Sequence, residues 1–407
     1  MSITFIHAAD LHLDRPFKGL SSLPQALKAR VRESTFTALD RLVETAREQS
    51  VDFVILAGDI FDEANRSLRA QLHLKRACQS LEEQNIEVFM SHGNHDPLNG
   101  EWHEITYGEN VHVFGSAPEV LGFNRPGKPK VNLYGFSYET RHITESMLSL
   151  YQRKSNADFH IGLLHGSIKG NTDHDVYAPF TVQELLEKDF DYWALGHIHQ
   201  RLALQQEPPI HYPGSLQGLS AKETGDKGFY LVQLEEQGSE MTFISAADII
   251  WQHLELSMGE VETMDHLVTK LKEVKEKSRL HSQGVLLRLQ LKKSNHLKAL
   301  LEEEFVEELL EVLREGEEER RDFVWPYTIQ SSLTQDYDYE QLRKESHFLG
   351  DLIRLSENIE SVPSLDELYK HVRARQYLEP LRESDQRQLI KEAERLLIEV
   401  LHKEITS

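Results

Sequence analysis

Five short segments of this chain carry the residue types that a paired-metal site needs. In order they are Asp10-Leu11-His12, Gly58-Asp59 within GDIFD, Gly93-Asn94-His95-Asp96, His165-Gly166 and Gly196-His197-Ile198-His199. Carboxylate, amide and imidazole donors in this mixture suit borderline first-row ions such as Mn²⁺, Fe²⁺ or Zn²⁺. The single cysteine, Cys78, leaves no thiolate site to compete with that reading. Asp59 is the natural bridging carboxylate. Asp10, His12 and His199 would then complete one ion, and Asn94, His165 and His197 the other. Two ions about 3.5–4 Å apart activate water and grip the phosphate oxygens of an in-line displacement, so the chemistry indicated is phosphoester cleavage.

His95 is not needed as a ligand. Beside Asn94, it can face the leaving-group oxygen and donate a proton or a hydrogen bond. Asp62, the last residue of GDIFD, is the candidate to accept from the other ring nitrogen of His95 and fix its orientation. Asp96 is assigned to loop structure, with a supporting role at most. Asp14 and Arg15 read as a solvated loop. Asn65 and Arg66 follow GDIFD and are candidate phosphate contacts, with helix capping by Asn65 the competing reading. His174 and Tyr177 sit in a Gly/Asp-rich loop after His165 and are candidate substrate contacts or loop residues. His7, His92, His103, His112, His160 and His211 have no motif partner and read as ordinary core or surface histidines.

Each motif follows a short apolar run, as expected where ligands sit beyond the carboxyl ends of strands. The runs are Ile3–Ala8, Phe53–Ala57, Ile86–Met90, Phe159–Leu164 and Tyr192–Leu195, with Leu133–Phe136 as a further strand. Leu27–Glu48 and Leu68–Glu83 have helical patterning, and the β-α-β alternation predicts a layered α/β core with mostly parallel pairing. Past His199, Ile210–Tyr212, Phe229–Leu234 and Met241–Ile244 read as strands of a mixed or antiparallel sheet. Pro213-Gly214-Ser215 is the turn between them, so two packed sheets are expected.

A second unit starts near Trp251. Leu254–Leu256, Val285–Leu291 and Asp322–Ile329 read as strands, and Met264–Lys277 and Asn295–Arg314 as helices. From about Leu333 the chain reads as helical. Leu389, Ile390, Ala393, Leu396, Leu397, Val400 and Leu401 form an apolar stripe behind an Asp385/Gln388 capping box. That stripe is either a packing face or a docking helix. The expected organisation is 1–250 catalytic, 251–332 a smaller α+β unit and 333–407 a helical region.

At 407 residues and a net charge of −22, the composition is that of an ordinary globular protein. The acidity argues against coating nucleic acid non-specifically, but not against catalysis on a phosphodiester, where bound cations supply local positive charge. No membrane span or signal peptide is expected. The lone cysteine fits a reducing cytoplasm.

These motifs resemble the calcineurin-like metallophosphoesterases over residues 1 to about 235. Within that superfamily, HAADLHLD, GDIFD, SHGNHD, GHIHQ and YPGSLQG followed by KGF look like SbcD-type DNA repair exonucleases, in particular a bacterial YhaO-like branch. The resemblance implies a four-layered α/β-β/α sandwich with a small capping domain, two manganese ions, and exonuclease and endonuclease activity on DNA. It also implies a coiled-coil SbcC-type ATPase partner bound through the C-terminal helices, and it allows a homodimer. The metal roles carry over to Asp10, His12, Asp59, Asn94, His165, His197 and His199, and the acid role to His95. Two other functions compete: a phosphodiesterase or phosphatase on RNA or a small phosphoester, and a non-enzymatic scaffold for an ATPase. The complete ligand set speaks against the scaffold.

Overall fold

Strands buried on both faces read as unbroken apolar runs, and the core of this chain is built from them. The computed structural model describes residues 2–17, 20, 23–62, 67–100, 103, 105–169, 177–259, 261, 263–292, 303–332 and 348–356, with 386–387, 389–391, 393–394 and 397–398. Met1–Ser332 forms one compact unit and Leu333–Ser407 another.

The first unit opens with β1 (Ser2–Ala8), α1 (Gln25–Glu48), β2 (Phe53–Ala57), α2 (Leu68–Glu82), β3 (Glu87–Ser91) and β4 (Val111–Val113). Next come β5 (Glu119–Phe123), β6 (Val131–Gly135), β7 (Phe159–His165), α3 (Val182–Leu186) and β8 (Tyr192–Gly196). They are followed by β9 (Leu202–Gln205), β10 (Ile210–Tyr212), β11 (Gly228–Glu235) and β12 (Gly238–Ser245). The unit ends with β13 (Ile249–Ser257), α4 (Met264–Lys277), β14 (Gly284–Lys292), α5 (Glu303–Arg314) and β15 (Val324–Ser332).

Two six-stranded sheets form the core, ordered β12-β11-β1-β2-β3-β4 and β5-β6-β7-β8-β10-β9. Strands β1 to β4 pair in parallel, as do β6, β7, β8 and β10, while the remaining strands pair antiparallel. Alternation sorts the side chains into layers. Phe53 and Ile55 of β2 meet Ile161, Leu163 and Tyr192 between the sheets. Val54 and Leu56 turn the other way, onto Leu39 and Leu42 of α1 and Leu74 and Leu81 of α2. Trp193 and Leu195 of β8 pack outward with Leu185 of α3. The result is the four-layered α/β-β/α sandwich.

The strands after His199 do not share the one mixed or antiparallel sheet predicted for them. Strand β10 pairs with β8 in the second sheet, whereas β11 crosses to β1 in the first. Pro213–Ser215 therefore lies on a crossover between sheets, and this carries the following segment past the carboxyl ends of both. Strand β15 starts at Val324 rather than Asp322, and helix α5 is described from Glu303. Residues 295–302 of that predicted helix lie outside the described residues.

Strands β13, β14 and β15 form a separate parallel sheet with α4 and α5 against it. It packs on Leu27 and Val31 of α1 and on Leu23 just before that helix, which meet Trp251, Leu286, Phe323 and Trp325. Asp248, just before β13, accepts from Arg30 Nε at 2.8 Å and Arg41 Nη2 at 3.1 Å, both on α1. In the second unit, α6 (Phe348–Ser356) buries Leu349 and Ile353 against Ile398. Of the apolar stripe predicted there, Leu389 and Leu397 are exposed. Leu396, Val400, Leu401 and the Asp385/Gln388 cap lie outside the described residues. No helix among the described residues is long and apolar enough to cross a membrane.

Candidate metal centre

The loops after β1 and β2 run side by side. Asp10 N–H donates to the Gly58 carbonyl at 3.1 Å, and His12 N–H to the Asp59 carbonyl at 3.0 Å. Asp10, His12, Asp59 and His197 all adopt positive φ, from 42° to 101°. That region is costly for side chains with a Cβ and is kept where the surroundings over-determine it. The glycines make room at close quarters. A Cβ on Gly93 would stand 2.3 Å from Asp59 Oδ1 and 2.7 Å from His165 Nε2, and one on Gly58 would stand 2.3 Å from His165 Nδ1.

Two donor groups share one carboxylate. Asp59 Oδ1 accepts the His95 N–H at 2.9 Å. Its Oδ2 lies 3.4 Å from His165 Nε2 on one side and 3.7 Å from His12 Nε2 on the other. On the His12 side, His12 Nε2 and His199 Nε2 are 3.1 Å apart, with Asp10 Oδ1 4.0 Å from His199 Nε2. On the other side, Asn94 Oδ1 lies 3.0 Å from His165 Nε2 and 3.2 Å from His197 Nδ1. Asp10 is held by the His197 N–H, at 3.0 and 3.1 Å from its two oxygens.

The chemistry of these atoms fits cations. His165 Nδ1 lies 3.0 Å from the Ala57 carbonyl, to which it can only donate. In the neutral ring Nε2 then presents a lone pair to the Asn94 oxygen and the Asp59 carboxylate, so acceptors face acceptors. A cation between them relieves that repulsion. Without an ion, a proton on Nε2 meets the same demand for positive charge. Burial opposes charge on His165, but Asp59, Asp10 and the Ala57 carbonyl outweigh it and raise the group to about 9. Burial raises Asp10 to about 6 despite His199 and His165. Asp10, His12, Asp59 and His199 together could hold one ion. With Asn94, His165 and His197 at the other edge of Asp59, the cluster suits a dinuclear site.

His95 and Asp62 lie next to this cluster, each with a side-chain donor atom within 4.8 Å of the other and of His12. The His95 ring packs edge-on to His12, with centroids 5.1 Å apart. Asp62 is also gripped by Arg15, whose Nε is 3.0 Å from Asp62 Oδ2. Arg15 is therefore an anchored residue rather than the solvated loop residue expected from sequence. Tyr177 is buried, its ring 5.3 Å from that of His197. Its N–H donates to Ser167 Oγ at 3.0 Å. Asn65, Arg66 and His174 lie outside the described residues.

Sequence reading undervalued Asp96. It accepts from the amides of Ile60 at 2.9 Å, Phe61 at 3.3 Å and Gly93 at 2.6 Å, and it pairs with His92 Nδ1 at 2.9 Å. One buried carboxylate thus ties the Asp59 loop to the Asn94 loop, and His92 acquires a partner. His7 and His160 are satisfied core histidines, 2.9 Å from Tyr192 Oη and 2.8 Å from Tyr134 Oη respectively. Glu223 and Lys227 were missed, although both touch His199. Glu223 lies in the polar segment between YPGSLQG and KGF, and Lys227 is the first residue of KGF itself.

Fold and donor set together define a metal-dependent phosphoesterase, and residues 3–201 match the calcineurin-like phosphoesterase family. The chain belongs to that family: it is 39% identical to a metallophosphoesterase of Bacillus subtilis (strain 168), named YhaO and described as uncharacterized, over 97% of both chains. It is also 27% identical to the DNA double-strand break repair protein Mre11 of Methanopyrus kandleri, over 63% of this chain and 58% of that protein. Among solved structures, TT1561 of Thermus thermophilus is similar at 13% identity and a TM-score of 0.35, covering 60% of this chain and 99% of that one.

Proposed function

We propose that this metallophosphoesterase is a DNA nuclease, with exonuclease and endonuclease activity, that works in DNA repair with an SbcC-type coiled-coil ATPase. The observation that carries the phosphodiesterase reading is the Asp59 carboxylate, with one oxygen between two imidazole-containing donor groups. The similarity to Mre11 supports DNA as the substrate. Asp10, His12, Asp59 and His199 would hold one ion and Asp59, Asn94, His165 and His197 the other; the mixed donors suit Mn²⁺, Fe²⁺ or Zn²⁺, and the family resemblance favours Mn²⁺. When bound, the ions supply charge neutralisation for the phosphate oxygens and acidify water.

The chain's own residues do the rest. His95 donates to the leaving oxygen, which general-acid chemistry rewards by about 10²–10⁴-fold. Asp62 holds the other side of His95, and Arg15 holds Asp62. Tyr177 beside His197, together with Asn65, Arg66 and His174, contacts the substrate. Residues 1–250 carry catalysis, 251–332 cap the substrate and 333–407 dock the ATPase, in the cytoplasm.

The test is direct. Purified protein with Mn²⁺ degrades duplex or single-stranded DNA, and EDTA stops it. Cleavage of a chromogenic phosphodiester with no action on DNA would overturn the nuclease reading, and cleavage of RNA alone would move the substrate to RNA.

A further inference from the structure

The segment that crosses from β10 to β11 closes around His199, at three points. Glu223 Oε1 lies 3.4 Å from His199 Nδ1. Lys227 Nζ donates to the His199 carbonyl at 2.7 Å, and the Ser215 N–H donates to the same carbonyl at 3.3 Å. Glu223 is itself fixed. Its Oε2 accepts from Ser215 Oγ at 3.0 Å and from the Leu219 N–H at 3.3 Å, and Ser220 Oγ lies 3.4 Å from Oε1. Only 16% of its side chain is exposed. The other ring nitrogen of His199 faces the metal cluster, 3.1 Å from His12 Nε2.

We infer that Glu223 is a positioning residue for the metal centre: it accepts the Nδ1 proton of His199, which fixes the tautomer and aims the Nε2 lone pair at the ion shared with Asp10 and His12. A carboxylate behind a ligating imidazole orients the ring and raises its basicity, and losing such a partner costs about 10–100-fold in metal affinity. His165, at the other ion, obtains this differently. His165 is oriented by the Ala57 carbonyl at 3.0 Å. Glu223 therefore acts on one ion and not on both. Lys227 adds a second hold, on the backbone, so ring and main chain of His199 are set by one crossover segment.

The inference rests on the two-ion reading of the centre, and the experiment separates the two. Mn²⁺ is titrated calorimetrically into the metal-free full chain, for wild type, Glu223→Ala and Glu223→Gln. Far-UV circular dichroism and a thermal melt of each metal-free protein serve as fold controls. The wild type takes up two ions. In Glu223→Ala one binding event weakens about 10–100-fold while the other, through Asn94, His165 and His197, is unchanged. Glu223→Gln keeps the shape and one acceptor oxygen, so it falls between the two. Unchanged affinity for both ions overturns the inference, and so does equal weakening of both, which would make Glu223 a brace for the fold alone. If Glu223→Ala does not fold, Glu223→Gln decides: selective weakening supports the role and none overturns it. A wild type that binds fewer than two ions overturns the two-ion reading and this inference with it.

Discussion

At the scale of single residues, the division of labour between Asp59 and His95 is the sharpest consequence of the geometry. Asp59 sits between both donor groups, so Asp59→Ala is expected to abolish loading of both ions, read as metal content after dialysis. His95 touches Asp59 through its backbone N–H, not its ring. His95→Ala should therefore keep two ions while turnover falls about 10²–10⁴-fold. Equal metal loss in both variants would remove the acid assignment. The residues that converge on Asp59 were legible because each sits in a short pattern at a strand end. Glu223, Asp96 and Arg15 were not. Their partners are far away in sequence, His199, Ile60 and Asp62 respectively, and a Glu, Asp or Arg in a loop looks like solvated charge.

Among the elements, the strands that carry the motifs were readable because both of their faces are buried. Strands β4, β5 and β9 were missed. They are three to five residues long, at sheet edges and partly exposed, so no apolar run marks them. Sheet membership was also illegible for β10 and β11, since local patterning does not say which sheet a strand joins. Strand β1 carries a titratable burden of its own. His7 is fully buried, and burial lowers it to about 3 against the Leu195 carbonyl that favours its charge. The unfolded chain therefore binds a proton between pH about 6.5 and about 3 that the folded chain refuses. Stability is fully present above the unfolded value and is lost as pH falls through that window, by up to about 1.4 kcal/mol per pH unit for this one group. Urea midpoints of metal-free protein across that range should fall with acid, and less steeply in His7→Gln. Equal slopes would contradict the assignment.

Across the first unit as a whole, Asp248 links the two halves of the packing. It is buried, and it accepts from Arg30 and Arg41 of α1 while the Asp248 N–H donates to Gln217. Asp248→Ala leaves two guanidinium groups without this partner, and charged hydrogen bonds of this kind are worth about 1.5–3 kcal/mol. The expected outcome is a loss of about 2–3 kcal/mol in chemical denaturation with the metal centre still loaded. A loss under about 0.5 kcal/mol, the range of ordinary surface changes, would show that the third sheet does not depend on this contact.

The central claim is that five separated loops build one two-ion centre around Asp59. Anomalous diffraction from Mn²⁺-loaded crystals tests it most directly. Two manganese peaks that share Asp59 are expected, one bound by Asp10, His12 and His199 and the other by Asn94, His165 and His197. A single peak, or manganese bound away from Asp59, would contradict it.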